Sequence, residues 1–311
     1  MTGYVLRRLM LFVPTLLVIS FITFVLGHYG PGDPVRTLMG DNWADEETYQ
    51  ILRHQYGFDR PLLVQYGDFL VSAGHGDLGR SLSGSSLTVN ELISKTLPVS
   101  IQLGLVALVI LAVGGVGLGV LAALRQNTWL DYLIVVSSVV GHSFPVFVLA
   151  PMLLILVVLK LQLMATPTGW DGLFSTKVLL PATLLAVTPL IGIVRQTRAS
   201  VIEVLAQDYV RTARAKGLPS RMVVLRHILK NSLTPVVTLM GFLFAGLITG
   251  SIFVESIFAI PGFGQLYYQA IRQYDYPVLM GTTLVSAVIL VSINLLVDLL
   301  YGVLDPRVRY E

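Results

Sequence analysis

The residue types that carry most protein chemistry are sparse in this chain and poorly spaced for it. Its 311 residues contain no cysteine, which removes disulfides, thiolate metal sites and cysteine nucleophiles. The five histidines, His28, His54, His75, His142 and His227, are scattered, and no HExxH or comparable ligand spacing joins them. No GxSxG pattern sets a serine on a nucleophile elbow. No Gly-Lys dipeptide occurs anywhere, so the chain has no P-loop, and any nucleotide chemistry must come from another polypeptide. The run Gly114, Gly115, Gly117 and Gly119 sits in an uncharged stretch, where small residues serve close helix packing. Gly246 and Gly250 have the same small-xxx-small spacing. These residues predict neither an enzyme nor a resident metal or cofactor.

The elements that must hold these residues are apolar. Hydrophobic residues make up 54% of the chain and charged residues 13%, about half the charged share of a typical soluble domain. A net charge of +3 is too small to suggest a nucleic-acid binder. Six apolar stretches, at 9–26, 98–124, 132–159, 178–194, 231–254 and 276–297, approach the roughly 20 residues that cross a bilayer as a helix. Pro181 and Pro189 interrupt the fourth, which neighbouring helices can accommodate. The first stretch follows Arg7 and Arg8 without a small-residue cleavage site, and reads as a span rather than a removable signal.

The spacing therefore predicts an all-α membrane protein with about six transmembrane helices. Lysine and arginine set its orientation. Arg7, Arg8, Arg125, Arg307, Arg309 and a dense group from Arg195 to Lys230 fall on one side, against Lys160, Lys177 and Arg272 in short loops on the other. Both termini are thus expected in the cytoplasm. The organisation that follows is a tail and first helix at 1–28, an extracytoplasmic segment at 29–97, and a five-helix core at 98–311 that includes a cytoplasmic loop at 195–230.

The extracytoplasmic segment contains nine acidic residues between Asp33 and Glu91, and should be folded and solvated. Residues 44–56 have helical spacing, with Asp41 or Asn42 as a cap and Gly57 as a stop. A structured cap and a docking surface for an outer partner both fit this segment. Two ionisable residues approach membrane depth, where charge is costly and often marks a pathway. Glu255, with Ser251 nearby, is a candidate for a pathway or gate, although a solvated carboxylate at a helix end near the outer face fits its position better. Asp298 reads as an interhelical partner for a loop arginine.

The loop at 195–230 holds eight basic and two acidic residues. Val201, Leu205, Tyr209 and Ala213 fall on one helical stripe, and Glu203, Gln207, Asp208, Arg211 and Arg214 occupy the rest of the circumference. This predicts an amphipathic helix. Gly217 follows Lys216 as a left-handed cap, and Pro219 stops any continuation. A helix that merely favours anionic lipid would share this composition.

The segment DYVRTARAKGLPSRMVVLRHILKNSLTPVVT, at 208–238, resembles the cytoplasmic loop of the peptide and nickel permease family of ATP-binding-cassette importers. The general importer pattern is Glu-Ala-Ala, a glycine six residues after that glutamate, and a later Ile-x-Leu-Pro. Arg211, Thr212 and Ala213 occupy the first three positions, Gly217 falls on the glycine, and His227 to Lys230 occupy the last four. Only Ala213, Gly217 and Leu229 match the general form, whereas RTARAKG is the usual form of the peptide and nickel subfamily. YVLRRLMLFVPTL, PGDP, GDLGRS, SFPVF, GSIFVESIFAIPGFGQL and NLLVDLLYGVLDPRVRY extend the resemblance over nearly the whole chain.

The resemblance implies the first, B-type permease of an importer in the inner membrane, forming half of a pathway for peptides or a related small solute. It implies a second similar permease, two cytoplasmic ATPase subunits that hold the ATP and magnesium, and an extracytoplasmic solute-binding protein. It also assigns coupling to the ATPase to Asp208, Tyr209, Arg211, Thr212, Ala213, Arg214, Ala215, Lys216 and Gly217. A secondary transporter would instead call for a repeated second half and buried ion-coupling groups. A membrane enzyme would need clustered acids, bases or ligands at a span end. Neither pattern is present.

Overall fold

The computed structural model describes residues 2–29, 33–39, 45–83, 87–249 and 251–304. Among them, the only β pairing is an isolated antiparallel bridge between Arg80 and Thr88. The helices in chain order are α1 (Thr2–Tyr29), α2 (Pro34–Met39), α3 (Glu46–Gln55), α4 (Leu62–Gly74) and α5 (Val89–Leu124). Next come α6 (Trp129–Ser143), α7 (Val146–Lys160), α8 (Leu179–Leu205), α9 (Asp208–Ala215) and α10 (Ser220–Ser232). The last are α11 (Thr234–Thr249), α12 (Ile252–Ile257), α13 (Phe263–Arg272) and α14 (Tyr276–Leu304). Four helices, α1, α5, α8 and α14, are long and apolar enough to cross a membrane, and the bent pairs α6–α7 and α10–α11 raise the number to six if each is one span. Only 6% of the apolar window of α1 is buried within this chain, so its cover must come from outside the chain.

Local chemistry explains where these helices depart from the apolar stretches. The second span begins at Val89 rather than 98, because Thr88 and Glu91 form a capping box. The Glu91 amide donates to Thr88 Oγ1 at 3.2 Å, and the Thr88 amide donates to Glu91 Oε2 at 2.8 Å. The third span is broken by 102°. Pro145 disfavours helical geometry in the residue before it, and Phe144 is extended at φ −98 and ψ 127. The fourth runs on to Leu205, carrying Arg195 and Arg198 within the same helix. The fifth bends by 55° between α10 and α11. In the segment between α1 and α5, the helix expected at 44–56 is α3, capped by Asp45, whose carboxylate accepts the Thr48 amide at 3.5 Å. The Thr48 hydroxyl also donates to that carboxylate and holds it below its ordinary range. Gly57 ends the turn at φ +71. Asp41, Asn42, Gly250, Arg307 and Arg309 lie outside the described residues.

The chain forms two compact units. The first comprises Met1–Ser100 and Pro261–Val291. Its core joins Val89, Ile93, Phe263, Leu266, Ala270 and Val278. Ser100, fully buried, accepts the Phe263 amide at 2.7 Å and so anchors the start of α13 to α5. The α1 and α4 helices meet through Tyr66, whose hydroxyl donates to Leu17 O at 2.9 Å.

The second unit comprises Ile101–Ile260 and Ser292–Glu311. Here α5 crosses α8 at Gly115 and Gly119. A Cβ at Gly115 would lie 2.6 Å from Ile193 Cγ2, and one at Gly119 would lie 2.6 Å from Thr197 Cβ and 2.8 Å from Val194 O. Of the four glycines in this run, these two admit the neighbouring helix, while a Cβ at Gly117 meets nothing within 4 Å. Gly246 is open as well. The close approach on α11 is at Gly241, where a Cβ would lie 2.2 Å from Val297 Cγ2.

Candidate functional site

The basic loop at 195–230 is built from the end of α8, all of α9 and most of α10. α8 ends at Leu205, Ala206 and Gln207 break the path, and Gln207 is extended at φ −74 and ψ 145 before α9 starts at Asp208. Of the stripe expected through Val201, Leu205, Tyr209 and Ala213, Val201, Leu205 and Ala213 meet in one cluster and Tyr209 does not. Val210 and Ala213 are the buried residues of α9, whereas Tyr209 is 41% exposed. They pack into a cluster with Ala123, Val201, Val223 and Ile228, so residues from α5, α8 and α10 hold the short helix in place. Asp208, Tyr209, Arg211, Thr212, Arg214, Ala215, Lys216 and Gly217 remain on its exposed side.

The N-terminal turn of α9 carries surface contacts but no side-chain cap. Arg211 pairs with Asp208 at 3.4 Å, one turn apart, and Asn231 donates to the Tyr209 hydroxyl at 3.2 Å. At the C-terminus Gly217 adopts φ +72. Its amide donates to Arg214 O at 3.0 Å, and the Leu218 amide reaches Ala213 O at 3.4 Å. These bonds satisfy helix-end carbonyls in the manner of a left-handed cap. The result is a short helix with a largely polar outer face, seated on an apolar floor.

Glu255 is not a solvated helix-end carboxylate. It is completely buried on α12, as is Ser251, and the Ser251 hydroxyl donates to Glu255 Oε1. The turn beyond is tightly made. Ile260 N donates to Glu255 O at 2.8 Å, Phe258 O accepts the Gly169 amide at 2.9 Å, and Ala259 takes up a left-handed φ of 51. The two residues singled out together by sequence are thus in contact, inside a packed turn. Asp298 is half-buried on α14.

Two polar links between α6 and α8 escaped the sequence reading. Arg198 Nε and Nη2 each donate at 2.7 Å to the carboxylate of Asp131, whose side chain is 1% exposed, and the Asn127 amide adds a third bond at 3.0 Å. Further along, Nδ1 of His142 lies 2.8 Å from Thr188 O. A carbonyl only accepts, so Nδ1 carries the proton there. The pairs 131–198 and 142–188 run in opposite senses, so α6 and α8 are antiparallel. The available sequence signal was a lone acid at the start of an apolar stretch together with two arginines on the continuation of another.

Comparison with known proteins places this architecture. Residues 115–310 match the family described as binding-protein-dependent transport system inner membrane component, and residues 1–103 match its N-terminal companion. The dipeptide transport system permease protein DppB of Bacillus subtilis (strain 168) is 43% identical over 309 residues, covering 99% of this chain and 98% of the relative. The oligopeptide transport system permease protein OppB of Salmonella typhimurium is 37% identical over 310 residues, covering 100% of both. A chain of the MetNI methionine ABC transporter, solved in an inward-facing conformation, shares the fold at a TM-score of 0.58 and 21% identity, covering 69% of this chain and 96% of that one. With one family match over its N-terminal part, another over its helical core, and relatives that align end to end, the chain belongs to the inner membrane components of binding-protein-dependent transport systems.

Proposed function

We propose that this chain is one of two permease subunits of an ATP-driven peptide importer, with a second, homologous permease completing the pathway. The observation that carries this reading is the 43% identity to a dipeptide permease over 99% of the chain. Two ATPase subunits on the cytoplasmic side supply ATP, magnesium and hydrolysis, and an extracytoplasmic solute-binding protein delivers the peptide. The chain itself holds no cofactor. Both termini and α9 face the cytoplasm of the inner membrane, while α2, α3 and α4 lie outside, where they form a cap or a docking surface for the solute-binding protein.

In this reading α9 enters a groove on an ATPase subunit. Its apolar side is already occupied by Val201, Val223 and Ile228, so the exposed residues from Asp208 to Gly217 make the contact, with Arg211, Arg214 and Lys216 giving it a basic character. A short helix held on an apolar floor and capped at its C-terminus can pass the movement of the ATPase to α8 and α10. Ser251 and Glu255, inside the turn after α11, are the proposed gate elements.

Reconstitution of this chain with its partner subunits in liposomes tests the reading. ATP-dependent uptake of a labelled dipeptide is expected only when the ATPase subunits and the solute-binding protein are present. Uptake without the ATPases, or driven by an ion gradient, would refute it. Reporters fused after Glu311 and near Ser220 are expected in the cytoplasm and one near His75 outside; a cytoplasmic His75 would overturn the orientation.

A further inference from the structure

Between the two polar links of α6 and α8 lies a cavity of about 830 Å³. From α6 it is lined by Tyr132, Val135, Val139 and His142, which recur at helical spacing along one face; from α8 it is lined by Ile191, Gly192, Arg195, Gln196 and Ala199. The volume is within the range of small-molecule sites and exceeds what a single side chain needs. The links at Asp131–Arg198 and His142–Thr188 brace its two ends, and they stand about 16 Å apart along α6 at the usual helical rise.

The charges in this cavity do not balance. Arg198 is neutralised by Asp131 through two bonds of 2.7 Å. Arg195, about one turn earlier on α8, is exposed, and no carboxylate of the described residues lies within ion-pairing distance of it. It stands about 24 Å along the helix from Leu179, toward the end of α8 that leads into α9. An arginine cannot shed its charge by losing a proton. Gly192 opens the wall one turn before Arg195, and Gln196 and His142 add polar groups, so the site has hydrogen-bonding character and a cation beside a single lining carboxylate, Asp131, which Arg198 already holds.

We propose that Arg195 is the carboxylate-binding residue of a substrate site between α6 and α8, taking the C-terminal carboxylate of a peptide in transit. The planar guanidinium fork matches a carboxylate with two parallel hydrogen bonds. Gln196 and His142 are placed to meet the amide groups that follow it, and Val135 and Val139 provide an apolar wall that tolerates varied side chains. Asp131 is a positioning residue: by holding Arg198 it leaves Arg195 as the uncompensated cation. The inference rests on the peptide importer reading and deepens it.

The test is equilibrium binding of trialanine and of its C-terminal amide to the assembled transmembrane and ATPase complex, without solute-binding protein, in phosphatidylcholine nanodiscs that contain no anionic lipid. The wild type is expected to prefer trialanine over the amide. Arg195→Gln is expected to weaken trialanine binding by about tenfold, the scale of a lost charge-assisted hydrogen bond, and to leave amide binding unchanged. Arg195→Lys keeps the charge but loses the fork, and is expected to lose part of the preference; it carries the same test if Arg195→Gln does not assemble. An absent wild-type preference, or equal losses for both ligands, would overturn the site. ATP-dependent uptake of trialanine by the complete wild-type importer checks the parent reading separately. Uptake with no role for Arg195 sinks the site alone, whereas Arg195-dependent binding without uptake sinks the peptide importer reading and leaves a carboxylate site.

Discussion

Asp275 accepts the hydroxyl of Ser81 at 2.5 Å across a separation of 194 residues. The same oxygen takes the amides of Leu82 at 3.1 Å and Ser83 at 3.2 Å, while Oδ1 accepts the Val278 amide at 3.4 Å in the first turn of α14. A single carboxylate, 2% exposed, thus closes the loop before α5 onto the start of α14. A buried carboxylate that accepts several donors is strongly held in place, and its loss strands those donors.

Asp275→Ala is expected to destabilise the first unit by about 2–3 kcal/mol, since the stranded amides keep their desolvation cost. Thermal unfolding in detergent and trypsin cleavage after Arg80 measure it. Cleavage at Arg80 no faster than in the wild type would show that the loop is held by other contacts.

The Asp131–Arg198 pair should behave as a buried ion pair. Arg198→Met alone leaves a desolvated carboxylate and is expected to cost about 3 kcal/mol, whereas the double change Asp131→Leu and Arg198→Met recovers much of that loss. Stabilities of the single and double variants decide the matter. Additive losses would mean that the two groups act independently.

Neighbouring glycines on α5 should respond oppositely to the same substitution. Gly119→Ala drives a Cβ to 2.6 Å from Thr197 Cβ and 2.8 Å from the backbone oxygen of Val194, and is expected to destabilise by about 1–3 kcal/mol. Gly117→Ala meets nothing within 4 Å and should stabilise the helix by about 0.5–1 kcal/mol. Melting temperatures that move in the same direction would refute the α5–α8 contact as described.

Gly217→Val tests the cap of α9 without crowding it. A Cβ there meets nothing within 4 Å, but φ is +72, so the penalty is backbone strain of about 1–2 kcal/mol. The assembled complex is expected to hydrolyse ATP with less transport per ATP. Reversing Arg211 and Arg214 to glutamate should weaken ATPase retention in a salt-dependent way. Normal transport per ATP in an intact Gly217→Val complex would remove α9 from the coupling path.

Much of the architecture is legible in the sequence because apolar length and glycine conformation act locally. Stretches of about 20 apolar residues have few options in a bilayer, and the six read from sequence correspond to the four long helices and two bent pairs. Gly57 and Gly217 were read as helix stops, and both occupy left-handed backbone. The amphipathic helix ending near Lys216 was legible for the same reason. Tyr209 was the exception, because past the break at Ala206–Gln207 Val210 is buried in its place, while Val201, Leu205 and Ala213 meet as expected.

By itself, then, the sequence determined the solvent of this protein, its helices and its family, since these depend on composition and on patterns within one stretch of chain. Tertiary structure alone decided which polar groups meet. Glu255 looks like a helix-end carboxylate in sequence, yet lies fully buried against Ser251. Asp131 and Arg198 are 67 residues apart, and Asp275 and Ser81 are 194 apart. Hydrogen bonds and ion pairs act over about 3 Å, and no periodicity along the chain records which distant groups the packing of helices will bring within that reach.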